Sequence, residues 1–149
     1  MSAPAYHVPP TPNLSGVEVE LAALFREFVE SNRGRIFGVA VGDGNGYPLA
    51  SHFDQPVNVG RLCGLGARLL ESGAILGETL SLATPSVAIL RGERYQMLLW
   101  RVPVLGGPLV GLLKRESEWP ETRFKTLFAK VEAILTPPPP ENGTYPVTP

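Results

Sequence analysis

Apolar residues recur at three- and four-residue intervals early in the chain, at Val17, Leu21, Leu24, Phe25 and Phe28. This spacing predicts an amphipathic helix. Ser15 followed by Glu18 matches a capping box at its start, and Asn32-Arg33-Gly34 supplies a stop. The period then drops to two. In IFGVAV, residues 36–41, Phe37, Val39 and Val41 alternate with Ile36, Gly38 and Ala40, and neither set is polar. A strand buried on both faces is predicted, with the small set admitting a helix closely and the bulky set filling the opposite layer. YPLASHF, residues 47–53, reads as a shorter, more polar strand whose Pro48 suits a strand start or an edge.

A second helix is predicted from Asp54 as cap, with Pro56 in its first turn, through VNVGRLCGLGARLLESGAIL, residues 57–76. It is apolar on more than one side. Val59, Leu62, Leu69 and Gly73 form one stripe, and Gly60, Gly64 and Ala67 form a second, beside Arg61, Arg68 and Ser72. TLSLAT, SVAILRG, YQMLLWRV and PLVGLLKR then read as strand material separated by Pro85, Gly92-Glu93 and Gly106-Gly107. The first two are taken as one long strand interrupted at Pro85. Pro120 opens a last helix with an apolar face of Phe124, Leu127, Phe128, Val131 and Leu135, and Glu121 and Lys125 are spaced to pair. The order is helix, two strands, helix, three strands, helix.

Composition narrows the class of protein. Ten of the sixteen prolines fall at 4, 9, 10, 12, 137–140, 146 and 149, so 1–14 and 137–149 are expected to be disordered, Pro-rich flanks of a single domain at 15–136. Lys+Arg 13 against Asp+Glu 14 leaves a net charge of -1, without the basic excess that grips nucleic acid. One cysteine among 149 residues excludes an internal disulfide and a Cys-based metal cluster. The first residues, MSAPAYHVPPTPNL, have no basic start or apolar core of a leader, and no stretch approaches the roughly 20 apolar residues of a membrane span. A cytoplasmic protein with no membrane span is the expectation.

The stretch GDGNGYPLAS, residues 42–51, is where chemistry would first be sought. Its glycines run G-x-G-x-G into another strand, whereas a dinucleotide fingerprint needs G-x-G-x-x-G into a helix. No Gly-Lys-Ser/Thr occurs, and Tyr47, Pro48 and Leu49 stand where a calcium loop would continue its oxygen ligands. Asn45-Gly46 is instead a hairpin signal, because both residues tolerate positive φ. His7 and His52 read as surface or packed residues, Cys63 as a buried, inert thiol without the electropositive neighbours that a Cys-His pair would need, and Asp43, Asp54 and Glu71 as turn, cap and helix residues. No catalytic group, metal or cofactor is expected.

The element order, together with GVAVGDGNGYPLAS at 38–51, resembles the Roadblock/dynein light chain family, whose pattern is a strand of small and branched residues, Asp-x-x-Gly, a strand like "xPLAS", then a helix. The likeness spans roughly residues 15–136. It implies an α/β (α+β) fold with a five-stranded antiparallel sheet, the second helix on one face and the two terminal helices on the other, in the order αββαβββα. It also implies a homodimer with third strands paired and second helices side by side. Leu80 and Leu82 in the strand and Gly60, Gly64 and Ala67 on the helix would then form the interface. The same small residues equally suit packing on the sheet. Pro85 departs from the pattern, since proline cannot donate to a strand ladder. Bacterial MglB-type members regulate Ras-like GTPases and eukaryotic members act as adaptors. The implied function is therefore a non-enzymatic dimeric platform for a small Ras-like GTPase, docking at Arg61, Leu65, Arg68 and Ser72. An adaptor pairing with another Roadblock protein and a small-ligand sensor are the alternatives.

Overall fold

The computed structural model describes residues 14–82, 87–115 and 121–136, and the remaining expectations for the two flanks, Pro85 and Pro120 lie outside them. The elements are α1 (Leu14–Ser31), β1 (Ile36–Gly42), β2 (Pro48–Phe53), α2 (Val59–Thr79), β3 (Val87–Arg91), β4 (Tyr95–Val102), β5 (Gly107–Lys114) and α3 (Glu121–Leu135). All five strands pair antiparallel in one sheet, in the order β2-β1-β5-β4-β3. The order αββαβββα and the sheet are those expected.

α1 begins at Leu14, one residue before the serine proposed as its cap. It buries Leu21, Phe25 and Val29, one per turn, and ends where the Asn32 Nδ2 donates to the Phe28 carbonyl at 2.7 Å and Gly34 takes φ +86°. α3 lies on the same face of the sheet, adding Phe124, Leu127 and Val131. These six side chains pack on Val39, Val41, Leu98, Trp100, Leu109 and Leu113 in one core cluster. Burial of such side chains stabilises by about 1.5–3 kcal/mol each before entropy is charged against it. Phe124 is central, its ring 5.5 Å from Trp100 and 5.2 Å edge-on to Phe28. Gly111 makes room for it, since a Cβ there would sit 2.6 Å from the ring. On the surface of α3, Lys125 and Glu121 pair at 3.1 Å as their spacing predicts.

α2 covers the other face, with Leu70 packed on Leu99 and Val110 and with Leu62, Ala88 and Met97 around them. Three local readings are corrected here. The cap of α2 is Asn58, whose side-chain oxygen accepts from the Arg61 amide at 3.0 Å, while Asp54 still belongs to the sheet edge, its amide bonded to the Phe37 carbonyl. The chain needs the intervening residues to cross from the edge strand to the face. Of the long strand expected from residue 79, the second half is present as β3, but residues 79–82 are not strand, because α2 runs to Thr79, Leu80 caps it, and Ser81 turns the chain at φ +56°. The third is in β1. A register shift between Ile36 and Gly38 sends Ile36 into the core with Val39 and Val41, and Phe37 meets the Tyr95 ring at 5.3 Å instead. A bulge reverses the alternation on which the face assignment rested. The space left by Gly38 is taken by the Phe53 ring of the neighbouring strand, so Gly42, not Gly38, is where β1 lies close under α2, against Cys63.

Candidate functional site

α2 presents two contrasting sides. Cys63, Gly66, Leu70 and Gly77 are buried, at intervals of three, four and seven that keep them on one face. Gly66 lets the helix down onto the sheet, since a Cβ there would lie 3.0 Å from Leu99. Arg101 of β4 adds a hydrogen bond from Nη2 to the Leu70 carbonyl at 3.1 Å. The residues singled out for docking, Arg61, Leu65, Arg68 and Ser72, are all exposed on the opposite side, and the structure does bring them together. Among the described residues, neither arginine side chain has an ion-pair or hydrogen-bond partner.

The GDGNG segment forms the turn between β1 and β2 and packs on this helix. The Asp43 carboxylate accepts from the amides of Asn45 and Tyr47 at 2.9 and 3.0 Å, and the Gly46 amide donates to the Asp43 carbonyl. Only Gly46 takes positive φ, at +85°, so Asn45 does not share that conformation as the hairpin signal suggests. Gly46 lies directly on the backbone of Gly64. Gly64 therefore serves a contact inside its own chain, and Gly60 stands open with the Asn58 side chain as its neighbour. Between turn and helix is a concavity of about 520 Å³, floored by Gly64 and Ala67 and rimmed by Asn45, Arg61, Arg68 and Glu71.

Cys63 sits beneath the turn with no exposed surface. Burial, and secondarily the Asp43 charge, pushes its thiol from 9.0 up to about 11. It is a packed, protonated side chain at neutral pH, not a nucleophile. Among the described residues, no three His, Cys, Asp or Glu side chains gather as a metal site, and no helix is long and apolar enough to cross a membrane.

Leu80 and Leu82, expected in an edge strand, instead follow the end of α2, 56% and 65% exposed. They continue an apolar surface that the sequence reading missed. Leu69, Ile75 and Leu76 are exposed along α2, and Ile89 and Leu90 on β3, one of the two edge strands of the sheet. Leu65, Leu69, Leu76 and Leu80 follow one another at intervals of four, seven and four, a second stripe on the helix. The spacing is visible in the sequence, but Leu69 is grouped there with Val59, Leu62 and Gly73 instead.

No family model and no curated protein matches the sequence. Solved structures do match. MglB of Myxococcus xanthus is 13% identical, with a TM-score of 0.66 over 77% of this chain and 94% of that one. The chain has a Roadblock-type, MglB-like fold. An MglB with a tetrameric arrangement is 16% identical with a TM-score of 0.65, covering 80% of this chain and 90% of its own. A Roadblock/LC7 domain from Streptomyces avermitilis is 14% identical with a TM-score of 0.59, over 76% and 90%.

Proposed function

We propose that this chain is a non-enzymatic, self-associating cytoplasmic platform that binds a small Ras-like GTPase and regulates its nucleotide cycle. The observation that carries the reading is the outward face of α2, where Arg61 and Arg68, unpaired among the described residues, flank an exposed Leu65 beside a row of exposed leucines. Arginines around an apolar centre are the composition of interface hot spots. The fold is that of MglB, and the GTPase itself comes from the family resemblance.

Two surfaces divide the work. Leu69, Leu76 and Leu80, the leucines of that row beyond Leu65, serve self-association with the β3 edge, which also covers that edge; the tetrameric arrangement of one MglB is in keeping with it. Arg61, Leu65, Arg68 and Ser72 dock the GTPase. The arginines act as contacts, because a residue fixed on a helix reaches a buried γ-phosphate poorly. The test is binding and hydrolysis with GTP- and GDP-loaded GTPase for Arg61→Ala, Arg68→Ala and Arg68→Glu, with the oligomer checked. Loss of binding with Arg68→Glu supports docking. Retained binding with lost stimulation would make an arginine a finger, which can be worth ~10³ to 10⁵ in rate. Wild-type behaviour of all three variants would move the GTPase elsewhere. Association with a different Roadblock protein in place of self-association would favour the adaptor reading.

A further inference from the structure

The concavity between the β1–β2 turn and α2 belongs to the docking face. Its two walls are far apart in sequence, Asn45 on the turn and Arg61 and Arg68 on the helix, the latter about 10 Å apart along the axis. The spacing of the walls is set by backbone contact, Gly46 on Gly64, and not by adjustable side chains. Asp43, in the turn, does not line the cleft, its carboxylate accepting from the amides of Asn45 and Tyr47. Glu71 is the acid left on the rim, against two arginines without ion pairs among the described residues. Arg61 also stands in the first turn of α2, where the helix dipole is positive. The cleft is thus lined by two arginines and a single carboxylate.

Taking α2 as the docking face for the partner, a reading on which this step rests, we infer that the cleft receives a carboxylate side chain from an acidic segment of that protein. Arg61 and Arg68 hold it between them, with Asn45 as a polar rim. Guanidinium groups bind a carboxylate through paired N–H donors, which gives orientation as well as attraction. The β1–β2 turn is then part of the docking surface.

The test uses full-length protein and needs no GTPase. A blocked hexapeptide of alternating aspartate and glutamate is titrated into 15N-labelled protein, beside its neutral asparagine and glutamine counterpart. The acidic peptide is expected to shift the Asn45 and Gly64 amides and the Nε–H signals of Arg61 and Arg68 saturably, and the neutral peptide is not. Asn45→Glu, which changes the turn and leaves α2 untouched, should weaken the peptide about fivefold, the scale of one exposed charge pair. Glu71→Gln should tighten it by a similar factor, and Lys125→Glu on α3 should change nothing. Equal response to both peptides, shifts centred on α3, or indifference to Asn45→Glu would overturn the inference. Peptide binding in the cleft without any GTPase binding would leave the cleft standing and remove the GTPase. GTPase binding that survives Asn45→Glu, with no peptide response, would do the reverse.

Discussion

Gly46 of the β1–β2 turn and Gly64 of α2 meet backbone to backbone, so closely that a Cβ on Gly46 would lie 2.6 Å from the Gly64 Cα, whereas a Cβ on Gly64 would meet nothing within 4 Å. The contact is asymmetric, and so are its consequences.

Gly46→Ala should destabilise the protein by about 1–3 kcal/mol, combining a side chain at φ +85° with a clash against main chain that cannot rotate away. Gly64→Ala should be neutral or stabilise by up to ~1 kcal/mol, because alanine is the better helix former and its methyl has room. Urea unfolding of the two variants checks both. A Gly46→Ala protein as stable as wild type would show that the turn does not press on the helix.

Asp43→Ala should cost about 1–2 kcal/mol through the loss of two amide partners in the turn. Its carboxylate is committed to those amides, so calcium, ATP and GTP titrated calorimetrically into the wild-type protein should give no heat. Micromolar binding that disappears in the Asp43→Ala variant would make the turn a ligand site after all.

Leu76→Glu places a charge on an α2 position that is already 58% exposed, so the fold should survive. The variant should scatter light as a particle of 16.0 kDa where the wild type is larger. A wild-type mass of one chain at every concentration would refute self-association.

Cys63 carries a pH signature. Its folded-state pKa is raised, so the proton is held more tightly in the folded than in the unfolded chain. Stability is unaffected below the unfolded value of 9.0 and should fall as pH rises from 9.0 to about 11. Cys63→Ala should lack this component of alkaline destabilisation. At neutral pH a thiol reagent should react with the folded protein far more slowly than with the unfolded one, and comparable rates would contradict the burial.

The sequence by itself determined the order of elements, the amphipathic faces of α1 and α3, the Glu121–Lys125 pair and the double burial of β1, because each follows from a local period or a fixed spacing. It also placed Arg61, Leu65, Arg68 and Ser72 on one side of α2, a consequence of helical geometry alone. The tertiary structure decided what periodicity leaves open. Three- to four-residue spacing says which residues of α2 share a side, yet Leu69 and Leu70 are equally apolar, and only the position of Leu99 and Val110 beneath the helix selects Leu70 for burial. A bulge at Ile36–Gly38 exchanged the faces of Ile36 and Phe37 where strict alternation continued in the sequence. Residues 79–82 have strand composition, but α2, held on the sheet by Gly66 and Arg101, extends through Thr79 and leaves Leu80 and Leu82 in the open. Packing against distant strands outweighs such local preferences, since the energy it contributes exceeds the differences between them. The cleft between Asn45 and Arg68 was beyond any local pattern, because its walls lie on separate elements far apart in sequence and their separation is set by where two glycines touch.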